Sequence, residues 1–128
     1  MEREAFDRIT LGIIQAAIEV HRHLGPGLLE NIYHECLVRE LRIRGLGVIS
    51  DERIPVYYKG ELLNARYHID LLVEDAVIVE LKAIETVLPV HCAQVLTYLR
   101  LTEKRVGLLI NFNVSYLRQG VRRIVNNF

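Results

Sequence analysis

Residues Arg66–Lys82, RYHIDLLVEDAVIVELK, decide how this chain folds. The stretch reads as two strands, Tyr67–Val73 and Val77–Lys82, joined by a tight acidic turn. Side chains alternate across a strand with period two. That period puts Ile69, Leu71 and Val73 on one face and His68, Asp70 and Leu72 on the other. In the second strand Val77, Val79 and Leu81 oppose Ile78, Glu80 and Lys82. Two acids and a lysine therefore stand among apolar residues. Burying even a neutral polar group without a partner costs roughly 2–7 kcal/mol, so stability alone does not account for them. A metal ion would give both acids a partner. Register decides whether they can share it. With a loop of Glu74, Asp75 and Ala76, Val73 faces Val77 and Asp70 faces Glu80, their Cβ atoms about 4.5–5.5 Å apart. A two-residue loop would set Asp70 opposite Val79 and send Glu80 to the other face. The three-residue loop is the expectation.

Composition sets the outer bounds. The chain has 128 residues, 51% of them hydrophobic, which suits one domain, residues 1–128, with a sizeable core. No apolar run is long enough to span a bilayer, and MEREAFDR lacks a secretion-signal pattern, so the expected location is the cytoplasm. Lys plus Arg and Asp plus Glu both total 16. This balance argues against a strong sequence-independent grip on nucleic acid but leaves room for a local basic groove. Cys36 and Cys92 are too few for an iron–sulfur cluster and read as buried, reduced thiols. His21 and His23, two apart, do not share a helix face, and no zinc spacing is present. His68 would share a strand face with Asp70 and border any site there.

Upstream, Ile9, Ile13, Ala16, Ala17 and Val20 repeat at helical spacing and predict a helix from about Glu4 to Leu24. Gly25-Pro26-Gly27 ends it. A second helix is expected over about Leu28–Arg44, with Leu29, Ile32, Tyr33, Cys36, Leu37 and Leu41 as its apolar stripe. Glu30 lies near its N-terminus, where a carboxylate also suits the helix dipole. Val48–Tyr57 reads as a strand with an edge or irregularity at Pro55. Lys59-Gly60 reads as a hairpin turn, and a bulge is expected near Asn64. Downstream, a helix over about Pro89–Leu101 turns Val95, Leu96 and Leu99 to the core and places His91, Gln94 and Tyr98 on one face. Lys104–Phe112 reads as a strand covered on both sides, in parallel with a central strand. Leu117–Val125 reads as a last short helix. Its Arg118, Arg122 and Arg123 form a modest basic cluster, either solvated or in contact with nucleic-acid phosphates. The order α-α-β-β-β-α-β-α predicts an α/β or α+β sandwich, a mixed sheet with helices on both faces.

Asp70, Glu80-Leu81-Lys82 and Gln94-x-x-x-Tyr98 are each weak signals. Together they resemble the PD-(D/E)XK nuclease superfamily, whose restriction-endonuclease-like core is helix, three strands, helix, strand. The Gln94–Tyr98 spacing is similar to that of its RecB-like branch. Ile69 stands where the family name has proline. Gly27-Leu28-Leu29-Glu30-Asn31-Ile32-Tyr33 further resembles the GxxExxY protein family within that superfamily, and the likeness runs from about Ile13 to Ile124. The chemistry fits the residues. Phosphodiester hydrolysis needs an activated water and charge neutralisation at the phosphate. Asp70, Glu80 and the Leu81 backbone carbonyl would hold Mg²⁺ or Mn²⁺, with Glu30 completing the site or binding through water. Lys82 would orient the water or stabilise the transition state. The resemblance implies that Gln94 and Tyr98 position Lys82, the water or the nucleic acid.

Three functional readings follow. One is a metal-dependent nuclease acting on DNA, with RNA second. Another is a catalytically silent nuclease-fold module that binds nucleic acid or a protein partner in a larger complex, or pairs with itself as a homodimer that builds a longer groove. In the third, Lys82 and Glu80 form a buried ion pair and bind nothing. None involves a membrane.

Overall fold

In the computed structural model, which describes residues 1–128, the central hairpin forms with the three-residue loop. Val73 pairs with Val77, Leu72 with Ile78 and Leu71 with Val79. Glu74 and Asp75 adopt left-handed φ angles of 54° and 51°, and the Ala76 amide donates to the Val73 carbonyl at 3.0 Å. The strands are β2 (Glu61–Val73) and β3 (Val77–Lys82). Their ladder stops at Leu71–Val79, one pair short of Asp70 and Glu80. Beyond that point β2 continues only with β1 (Val48–Tyr58).

The long β1–β2 hairpin turns at Lys59-Gly60, both with positive φ, which the primed two-residue turns require. Its register shifts between Pro55 and Tyr57, opposite residues 62–66. This is the expected irregularity near Asn64, next to a proline that cannot donate to a ladder. After β3, helix α3 (Pro89–Thr102) crosses over and returns as β4 (Val106–Asn111), parallel to β3. The expected closing helix does not form. Leu117–Gly120 is a single 3₁₀ turn and Val121–Val125 is a fifth strand, β5, antiparallel to β4. β4 would otherwise be a bare edge, and β5 satisfies its outer hydrogen-bonding groups. The sheet order is β1-β2-β3-β4-β5.

Helices α1 (Arg3–Leu24) and α2 (Glu30–Ile43) cover one face. Ile13, Ala16, Ala17, Tyr33, Leu37 and Leu41 pack there on Leu71, Val79, Leu81, Leu108 and Phe112. On the other face Val95, Tyr98 and Leu99 of α3 meet Ile69, Leu72, Ile78 and Leu109. A Cβ on Gly107 would stand 2.7 Å from Val95 Cγ1, so glycine lets α3 lie this close to the sheet. The expected apolar stripes need trimming. Leu29 and Ile32 of α2 are exposed and Val38 is buried in their place. Leu96 is only half-buried, and Tyr98 takes the core position. Both cysteines are free and half-buried. No helix is long and apolar enough to cross a membrane.

The alternation expected in β2 breaks at Asp70. Ile69 joins Leu72 in the α3-side cluster, while Leu71 lies in the α1–α2 cluster. Strict period two would have kept Ile69 with Leu71. The break sits where β1 carries Asp51 at φ 59°, a left-handed residue that interrupts the ladder between Ser50–Leu71 and Glu52–Ile69. The register is the same on both sides of the break, and Asp70 is the residue that would pair with Asp51.

Candidate active site at the fork of β2 and β3

Where β2 leaves β3, the amide of Leu81 loses its strand partner. The Asp70 side chain replaces it, accepting a hydrogen bond from Leu81 N at 2.8 Å through Oδ2. In a strand, the N–H and C=O of one residue point to the same side, so the Leu81 carbonyl also points to the β2 side. Glu80 lies beside them. Both carboxyls are buried, Asp70 at 7% and Glu80 at 6% exposure. Burial, the hydrogen bond with Asp70 and the Asp70 charge push Glu80 up to about 10, and the nearby Lys82 only partly offsets this. Two carboxylates in one dry site cannot both ionise cheaply, so Glu80 keeps its proton.

Glu30 enters from α2. Its carboxyl is raised above the ordinary range by partial burial and then by Asp70, with Lys82 pulling the other way. The tyrosine three residues on explains how Glu30 is held there. Tyr33 is fully buried and stacks on Phe112, rings 4.5 Å apart and nearly parallel. Its hydroxyl donates to the Gly25 carbonyl at 2.6 Å and accepts from Leu28 N at 3.1 Å. Tyr33 thereby ties the turn between α1 and α2 to the core and fixes the start of α2.

Lys82 is half-buried and forms neither an ion pair nor a side-chain hydrogen bond. The Lys82–Glu80 ion pair of the purely structural reading is therefore absent, although the ammonium is close enough to act on Glu30 and Glu80 electrostatically. Buried Asn111 holds the strand just past Lys82. Its Oδ1 accepts from Ile84 N at 3.0 Å and its Nδ2 donates to Ile84 O at 2.9 Å. An asparagine closing an apolar strand was the only sequence sign of this clamp.

Tyr98 reaches the acids from α3. Its ring packs edge-on against Tyr67 at 5.5 Å, and burial, then Glu80 and Asp70, raise its hydroxyl above the ordinary tyrosine value. Gln94, one turn earlier, is exposed and makes no side-chain hydrogen bond. The expected arginine cluster does not assemble. Arg122 and Arg123 are adjacent on β5 and so point to opposite faces; Arg123 pairs with Asp7 of α1 at 3.1 Å, and Arg122 bonds its own chain at Gln119 and Val121. Arg118 stands apart in the 3₁₀ turn, beside Ser115 and Tyr116.

Sequence reasoning left one network undeveloped. His34 Nε2 lies 2.7 Å from Ser50 Oγ, the Ser50 hydroxyl donates to Asp51 Oδ2 at 3.1 Å, and Asp51 Oδ1 lies 2.9 Å from His68 Nε2. His68 Nδ1 is 3.6 Å from Asp70 Oδ1. The His34–Asp51 end lines a hollow of about 640 Å³ between α2 and β1 that also touches Arg39 and Arg42. Asp70 and Glu80 lie outside that hollow.

As the side chains stand, no three His, Cys, Asp or Glu groups close into metal-binding geometry. The donor set nonetheless suits a hard divalent cation. Two apposed carboxyls and a backbone carbonyl are all oxygen ligands, and two acids in one buried site favour positive charge between them.

A model of the PD-(D/E)XK nuclease superfamily matches residues 7–124. The chain belongs to the PD-(D/E)XK nuclease superfamily. No curated protein and no solved structure matches it. The mixed sheet with helices on both faces agrees with the restriction-endonuclease-like core of that superfamily. The superfamily points to nuclease-type chemistry.

Proposed function

We propose that this protein is a metal-dependent nuclease that hydrolyses phosphodiester bonds, of DNA in preference to RNA. The observation that carries the reading is the apposed, buried Asp70–Glu80 pair beside a lysine that has no carboxylate partner. Asp70, Glu80 and the Leu81 carbonyl would hold Mg²⁺ or Mn²⁺, and Glu30 would reach it directly or through water. Such an ion supplies an acidified water and neutralises charge on the phosphate.

The chain's own groups do the rest. Asp70 and Glu80 fix the site at the end of β3, and Asp70 is locked by the Leu81 amide. Lys82 is free to donate to the attacking water or to a phosphate oxygen as charge develops there. Tyr98, which keeps its proton beside the two acids, is a donor to Glu80 or to substrate. Gln94 stands at the solvent-facing rim, where it would meet the nucleic-acid backbone. The Gly27–Tyr33 motif supports membership of the GxxExxY group, with Glu30 as its functional residue and Tyr33 as its anchor. The whole 128-residue chain would then act as one nuclease-like domain.

Asp70→Ala and Lys82→Ala test the assignment. Both should abolish metal-dependent cleavage of single-stranded, nicked and branched DNA while the far-ultraviolet circular dichroism stays native. Undiminished cleavage in either variant would move the activity to another site or to a contaminant.

A further inference from the structure

We infer that His68 is a further metal-binding residue of this site, its Nδ1 joining Asp70 and its ring oriented by Asp51. The inference rests on the metal-dependent reading above and extends it to a nitrogen ligand and a preference among ions.

Geometry carries it. His68 Nδ1 stands 3.6 Å from Asp70 Oδ1, beyond hydrogen-bond reach. Two atoms bound to one ion at about 2.1 Å each stand roughly 3 Å apart, so little movement is needed for both to bind. The ring's other nitrogen is already committed, with Nε2 2.9 Å from Asp51 Oδ1. Burial acts to raise the Asp51 carboxyl, but the Ser50 hydroxyl, His34 and His68 together hold it below the ordinary range. A carboxylate only accepts hydrogen bonds, so Nε2 is the nitrogen that donates to Asp51. Nδ1 is the nitrogen left facing the Asp70 oxygen, and positive charge between the two would draw them together.

A carboxylate that accepts from one imidazole nitrogen while the other meets a metal is a recurrent arrangement in metalloproteins. The backbone sets this geometry. Asp51 takes a left-handed φ of 59°, a conformation an aspartate adopts more readily than most residues. Here it aims the Asp51 carboxylate at His68. The His68 side chain is 44% exposed, so an ion has access. Mn²⁺ shares with Mg²⁺ a liking for oxygen ligands, but as a transition ion it accepts an imidazole nitrogen more readily than Mg²⁺ does. A site with His68 in the shell therefore favours Mn²⁺ over Mg²⁺ more than an all-oxygen site would.

Pulsed electron paramagnetic resonance on Mn²⁺ added to the full chain reads the ligand directly, without any cleavage assay. The expected result is ¹⁴N modulation in the wild type that disappears in both His68→Ala and His68→Asn. Calorimetry with Mn²⁺ and Mg²⁺ should show Mn²⁺ affinity falling more than Mg²⁺ affinity in those variants. Asp51→Asn should weaken Mn²⁺ binding about 10- to 100-fold. If wild type binds Mn²⁺ in an Asp70-dependent way but shows no ¹⁴N modulation, His68 is an ion-pair partner of Asp70 and the inference falls while the nuclease reading stands. Modulation that persists in the His68 variants overturns it equally. If wild type binds no Mn²⁺, both readings fall.

Discussion

Replacing Glu80 by glutamine should make the metal-free protein more stable at alkaline pH. Glu80 holds its proton in the folded state up to about 10, because it is buried against Asp70. In the unfolded chain it loses that proton near the ordinary glutamate value, about 4.3. Between those limits the folded state binds one more proton than the unfolded state. The sign follows: this contribution is fully present below about pH 4 and is lost as pH rises. The slope for one proton is about 1.4 kcal/mol per pH unit, and it does not depend on where within the alkaline range the folded group titrates. From pH 6 to pH 8 the wild type should therefore lose about 2.7 kcal/mol through Glu80 alone. A glutamine at this position would keep a hydrogen bond to Asp70 and carry no titratable proton, so E80Q should lack this component. The assay is urea unfolding at pH 6, 7 and 8 without divalent ions, comparing wild type with E80Q so that all other groups cancel. In thermal melts the difference corresponds to roughly 10 °C for a chain of this size. Parallel pH profiles for the two proteins would refute the assignment of a shared, buried proton to the Asp70–Glu80 pair.

Binding of Mg²⁺ should expel that same proton, so calorimetry at pH 7 in buffers of differing ionisation enthalpy should report up to one proton released in wild type and none in E80Q. Tyr33→Phe leaves the Gly25 carbonyl and the Leu28 amide without their partner and should cost about 1–3 kcal/mol, read as a lower urea midpoint with an unchanged slope. Gly107→Ala places a methyl 2.7 Å from Val95 Cγ1; overpacking of this kind costs about 1–3 kcal/mol, and the double variant with Val95→Ala should cost less than the two single changes summed. A strictly additive pair would mean that α3 does not approach the sheet through Gly107.

The hairpin register, the parallel return of β4 and the turn at Lys59-Gly60 were legible because each is written in a local pattern. Alternating apolar residues bracket a loop of fixed length, and a crossover helix demands a parallel partner. The change of face at Asp70 was not legible. It coincides with Asp51, an ordinary-looking residue opposite it on the neighbouring strand that adopts a left-handed φ, and period-two reasoning has no means of seeing a partner strand. The last strand is not legible as one, because LRQGVRRIV offers apolar residues at helical as well as strand spacing. Gly120 decides between them: any Cβ there would run into the Asn111 carbonyl oxygen, and the chain is drawn against β4. The candidate acids and Lys82 could be found from the cost of burying charge. Asn111 and the Asp51–His68 link could not, since each works through contacts distant in sequence.

The fork at Asp70 also divides the labour of β2. Its last residues, Leu71–Val73, lie between two neighbouring strands, while the segment from Glu61 to His68 runs only with β1, and residues 57–66 are all exposed. The tip of this arm carries no core residue, so changes in its length leave the layers beneath it untouched. Insertions or deletions there would alter how far the protein reaches past the acids. Reach and chemistry are thus set by different parts of one continuous strand, and either can be redesigned or drift without disturbing the other.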